Sequence, residues 1–223
     1  MAFDSQDLGG RVFTFFVPTL FSLAFHEFGH AASAVMLGDQ TPREQGRLTL
    51  NPIVHVDPLG TLVLPLALIL MGQPPFGWAK PVIVTPYRFT RRLEMRTGLM
   101  ITAAAGPLMN LFLAVGCALL AAAGARHDGL AWGPQAVTVL EQLTGLNVVL
   151  CLFNLLPLPP LDGSRVVSGL LPIGMRSVYQ QLERISPALL GLLFFTGAGA
   201  ALIERPGLAL MRALDSLGRA LFP

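Results

Sequence analysis

The chain has 223 residues, 53% of them hydrophobic and 13% charged, with a mean hydropathy of +0.62. Soluble domains carry about 25% charged residues, so this composition excludes an ordinary soluble domain and points to an integral membrane protein. A formal charge of +2 gives no reason to expect nucleic acid, and the cations serve better as markers of topology.

Read in order, the first ten residues carry Asp4 and Asp7 where a basic leader would be expected, so no cleavable signal is predicted. The first span runs from about Val12 to Leu37 and stops at Gly38 and Asp39. In the polar loop from Gln40 to Pro58, the alternation of Arg47-Leu48-Thr49-Leu50 predicts a short strand. Leu59 to Met71 is apolar but short, with Pro65 in its middle, which predicts a re-entrant or core segment. Gly72 to Arg96 is the most basic loop. Within it Lys80–Pro86 predicts a second strand, confined to an edge by its prolines.

Leu99 to Ala123 is the second span, and Ala103-Ala104-Ala105-Gly106 offers another helix a close approach. Asn110 inside it predicts a hydrogen bond to a neighbouring helix. The third span begins after Glu141 and runs to about Leu161, and Pro187 to Ile203 is a glycine-rich fourth. Leu208, Met211, Leu214, Leu217 and Leu221 share one helical face, predicting an interfacial helix. Cys117 and Cys151 lie in apolar runs and read as small buried hydrophobes. The expected fold is an all-α polytopic membrane protein forming a single domain over residues 1–223. It has about four spanning helices, a re-entrant segment, short membrane-associated β-strands and the C-terminal interfacial helix.

Chemistry concentrates in His26-Glu27-Phe28-Gly29-His30, within the first span. Histidines four apart stack on one helical face, where both imidazoles reach one tetrahedral Zn²⁺, and Glu27 falls beside them as a base for the metal's water. Ionisable groups cost roughly 2.5 kcal/mol or more each inside a membrane helix, so their presence there indicates function. A catalytic zinc site takes three protein ligands plus water, and Asp162 at the end of the third span is the candidate for the third. His30 and Asp162 each fall late in their spans, so they meet at one depth only if both spans run the same way. That requires residues 59–71 to re-enter. The N-terminus is then outside, with ten Lys and Arg inside against five outside; a full crossing gives nine against six.

These residues resemble the site-2 protease family of intramembrane zinc metalloproteases. The resemblance rests on His26 to His30, on Gly106-Pro107 with Asn110, and on Asn154-Leu155-Leu156-Pro157 leading to Leu161-Asp162-Gly163. It covers about Phe16 to Gly169. It implies that His26, His30 and Asp162 hold Zn²⁺, that Glu27 is the general base and that Asn154 positions the substrate or its developing oxyanion. It also implies a transmembrane protein or peptide substrate, and a multi-pass protein of a prokaryotic plasma membrane with its active site toward the cytoplasm. Many members carry a PDZ or CBS domain, for which this chain has no room. His55, in Asn51–Pro58, has two readings: a loop histidine fixing local structure, or a ligand, gate or donor in the substrate cavity. Two rivals stand against the family. The CAAX-processing membrane proteases share HExxH but take a downstream glutamate, and none here matches Asp162 in context. A silent membrane metal-binding protein or small transporter has no need of Glu27.

Overall fold

The computed structural model describes residues 5–90, 93–126 and 133–222. Helix α1 (Ser5–Met36) contains the first apolar run, with Pro18 inside it. A short α2 (Thr41–Glu44) and a 3₁₀ turn (Pro52–His55) follow. Asp57 then caps a new helix by accepting the N–H groups of Leu59 and Gly60. That helix begins with wide π turns over Pro58–Val63 and continues as α3 (Leu64–Leu70). The chain turns at Gly72 and comes back as irregular backbone as far as Thr85, ahead of a 3₁₀ turn (Pro86–Arg88). The Trp78 N–H donates to the Gly60 carbonyl at 3.1 Å and the Lys80 N–H to the His55 carbonyl at 2.9 Å. The return leg therefore lies against the leg it left.

Helix α4 (Met95–Arg126) runs against α1: Thr102 and Gly106 meet His30, while Asn110 meets Ser22. Helix α5 (Pro134–Asn154) runs with α1, since Asn147 meets Ser22 and the later Asp162 meets His30. Helices α1 and α5 thus share a direction, with α4 against both. The hairpin between α1 and α4 starts and finishes at one end of the bundle, where the Thr90 N–H donates to the Leu37 carbonyl. Its far end, Ile69 and Pro75, faces a cleft shared with Thr14 and Pro18 of α1. That lies roughly five helical turns from the end of α1.

Helices α1, α4 and α5 each have the length and apolar composition to cross a membrane. Small side chains make their mutual contact: Ala24, Ala31 and Ala34 on α1, with Ala103 and Ala114 on α4, are buried. The large apolar side chains turn outward instead, including Phe13, Val17, Leu108, Phe112 and Val149. An apolar exterior around a small-residue interior is the pattern of a bundle solvated by lipid.

Several expectations need correction. Among the described residues there is no strand. Residues 47–50 form a bend, and 80–85 are irregular with no neighbouring strand among the described residues. Pro81 and Pro86 have no N–H to give a ladder, and two of the remaining donors go to carboxylates. The third span ends at Asn154, not Leu161, because Pro157, Pro159 and Pro160 stop the helix; Asp162 opens a new one, α6 (Asp162–Leu170). The expected span 187–203 is divided at Gly197 (φ 73°) between α7 (Arg176–Thr196) and α8 (Ala198–Leu221). Helix α8 carries the predicted apolar face, but Leu214 packs with Ala114 and Val148, Gly207 faces Leu152 and Gly218 faces Ala122. It therefore lies lengthwise on α4 and α5, with Arg212, Asp215 and Arg219 on its exposed face.

Candidate metal centre

One turn of α1 sets His26 Nε2 and His30 Nε2 3.1 Å apart. Asp162 Oδ2, at the first turn of α6, lies 3.1 Å from the former and 3.3 Å from the latter. A tetrahedral zinc with bonds of about 2.0–2.1 Å separates neighbouring ligand atoms by roughly 3.3 Å. The three atoms form a triangle of that size, and among the described residues they are the one such group able to hold a metal ion.

The other ring nitrogens decide whether these histidines can be ligands. His30 Nδ1 lies 2.7 Å from the backbone carbonyl of Thr102, which can only accept, so Nδ1 carries the proton. His26 Nδ1 lies 2.7 Å from Asn110 Oδ1. Both Nε2 atoms are then left with lone pairs facing each other and the carboxylate, an arrangement that asks for a cation. Helix α4 comes close enough to do this because residue 106 is glycine. A β-carbon there would fall 2.3 Å from His30 Nε2 and 2.8 Å from His26 Cε1.

Glu27 is buried beside the pair but outside the triangle. Its Oε2 accepts the backbone N–H of Val82 at 2.9 Å. The return leg of the hairpin thus passes over the candidate base. Three residues on, the Thr85 N–H donates to Asp39 Oδ2 at 2.6 Å, and Asp39, fully buried, also receives the N–H and hydroxyl of Thr41. Between these two fixed points, Ile83 and Val84 have N–H groups without a partner among the described residues.

The sequence is 41% identical over 189 residues to YwhC of Bacillus subtilis, provisionally named a zinc metalloprotease, covering 82% of this chain and 81% of that one. The chain belongs to peptidase family M50. This is the site-2 protease family that the motifs resemble. The family model itself matches residues 125–196, which include Asp162 but not the two histidines. Rip2 of Mycolicibacterium smegmatis and of Mycobacterium tuberculosis, also provisionally named zinc metalloproteases, are 36% and 37% identical over 147 residues. Those matches take 65% of this chain, which spans about half the length of Rip2, 52%. No solved structure matches.

Two further positions of this M50 chain singled out in the sequence lie outside the ligand triangle. Asn154 closes α5, with its amide donating to the Leu150 carbonyl of its own helix. The irregular residues 155–161 separate it from Asp162, so the two do not share a helical face. His55 is buried at 2% exposure, but its Nε2 meets the Thr49 carbonyl at 2.9 Å and its own carbonyl holds Lys80. It lies outside the ligand triangle and sits in the fold of the hairpin base. Sequence reasoning missed Ser22, Thr102, Asn147 and the backbone of Val82. Two of these act through main-chain atoms, which leave no trace in residue type.

Proposed function

We propose that the chain is a zinc-dependent intramembrane protease that hydrolyses a peptide bond within or near a transmembrane segment of a membrane-protein substrate. One observation carries this reading: three ligand atoms at metal spacing and a separate buried carboxylate converge inside a bundle of membrane-length apolar helices. The hairpin 58–85 is read as re-entrant, with the N-terminus outside and the site toward the cytoplasmic face of a prokaryotic plasma membrane.

His26, His30 and Asp162 would hold the ion. Bound there, zinc supplies Lewis acidity and lowers the pKa of its water to about 7. Glu27 takes the proton of the attacking water and returns it to the leaving amine. Asn154 has an amide oxygen with which to orient the scissile segment. A substrate helix must first lose its i→i−4 hydrogen bonds, and extended backbone in a water-poor site needs new partners. The unpartnered N–H of Val84, two residues beyond the Val82 N–H that meets Glu27, supplies a donor next to the base, in the manner of strand addition. His55 is read as holding the hairpin base rather than touching substrate.

The test is Glu27→Gln. The substituted protein, purified in detergent, should keep stoichiometric zinc and lose cleavage of a transmembrane reporter by several orders of magnitude. Undiminished cleavage would exclude Glu27 as the base. Zinc binding without cleavage by the parent would favour a silent metal-binding protein.

A further inference from the structure

Behind His26, away from Asp162, the three long helices share a buried polar chain. Asn110 Oδ1 faces His26 Nδ1 at 2.7 Å. Asn110 Nδ2 faces Asn147 Oδ1 at 2.8 Å and the Ser22 carbonyl at 3.3 Å. Asn147 Nδ2 faces Ser22 Oγ at 2.9 Å and the Leu143 carbonyl at 2.8 Å. Asn110 and Asn147 are fully buried, as is Ser22.

Backbone carbonyls remove the usual ambiguity of an asparagine amide. The Leu143 and Ser22 carbonyls can only accept, so the nitrogen of each amide must point toward them. With Asn147 so fixed, its oxygen faces Asn110. With Asn110 so fixed, its oxygen faces His26. The chain therefore has one direction, running from the α5 backbone to the imidazole, and it ends on an acceptor. Only a His26 carrying its proton on Nδ1 satisfies that acceptor, and such a ring presents its lone pair from Nε2 toward His30 and Asp162. A flip of either amide would place two acceptors face to face in an interior without water to relieve them.

We propose that Asn110 and Asn147 are positioning residues for the metal site: through Ser22 and the α5 backbone they fix the tautomer and ring orientation of His26. Asn147 touches neither His26 nor the ion and acts through Asn110. The inference rests on the zinc reading above and extends it to residues on α4 and α5.

The experiment is a double-mutant cycle on the full chain in detergent, read by zinc affinity in chelator competition. A second readout is the ¹⁵N shifts of the histidine rings without metal. Partners of metal-bound histidines are worth about 10- to 100-fold in affinity, so Asn110→Leu should weaken zinc binding by that order. Asn147→Leu should weaken it several-fold. The double variant should be no weaker than Asn110→Leu alone, because one acts through the other. In the parent His26 should show a single Nδ1–H tautomer, and in Asn110→Leu a mixture. A merely structural role would lower melting temperature but leave the tautomer alone.

Unchanged affinity and an unchanged His26 tautomer in Asn147→Leu would overturn the proposal, as would additive losses in the double variant. If the leucine variants fail to fold, Asn110→Ala removes the same acceptor with less steric demand and should still broaden the His26 tautomer population; a single Nδ1–H tautomer there would overturn the proposal. A parent protein that binds no zinc would sink the protease reading and this inference together. A parent that binds zinc with an affinity indifferent to Asn110 sinks only the inference.

Discussion

At the scale of single residues, the candidate centre depends on what is missing as much as on its candidate ligands. Gly106 leaves room for two imidazoles where any side chain would intrude: its absent β-carbon would lie 2.3 Å from His30 Nε2. Gly106→Ala should therefore displace a ligand rather than unfold α4. The expected outcome is at least a tenfold loss of zinc affinity with helical circular dichroism unchanged; parental affinity would contradict the packing described. His26→Ala, His30→Ala and Asp162→Ala should each empty or severely weaken the site. Full zinc occupancy in purified Asp162→Ala protein would remove Asp162 from the ligand set.

At the scale of elements, the hairpin is the part that the sequence misdescribed. Val82, Ile83 and Val84 between prolines have strand composition, yet a strand needs a neighbour, and none is present among the described residues. The donors of Val82 and Thr85 are taken by carboxylates 55 and 46 positions away, a pairing that no local pattern encodes. This gives a clean substitution. Val84 donates to nothing among the described residues, so Val84→Pro removes an N–H without breaking a native hydrogen bond. Cleavage of an intact transmembrane substrate should fall at least tenfold with zinc content unchanged. A substrate with Gly or Pro beside the scissile bond should suffer less. Unaltered cleavage by a well-folded Val84→Pro protein would end the strand-addition idea. By contrast, the HExxH segment and Asp162 were legible, because polar groups in apolar runs stand out whatever the tertiary structure. Ser22 and Asn147 were not legible, since their meaning depends on which faces of three helices meet. The apolar stripe of α8 was read correctly, but a stripe does not say whether lipid or protein covers it.

At the scale of the molecule, the direction of the helices constrains topology. With α1 and α5 running one way and α4 the other, residues 38–94 begin and finish on one side. Gly9 is exposed near the start of α1, and Thr90 is exposed beside its far end. In intact cells, a membrane-impermeant thiol reagent should label Gly9→Cys and spare Thr90→Cys in a background without Cys117 and Cys151. The opposite labelling would reverse the proposed orientation.

The two tethers of the return leg carry one more implication. Val82 is fixed to Glu27 and Thr85 to Asp39, and three residues of chain span at most about 10 Å. Both carboxylates belong to the ligand helix or the turn that ends it. The free donor of Val84 therefore stands at a set distance from the candidate metal centre. A substrate hydrogen-bonded to it through its backbone would be measured rather than read: the protein would act as a ruler, cutting at a constant offset from the unwound turn. Mapped cleavage points should then keep their spacing from the helix break while the residues flanking them vary.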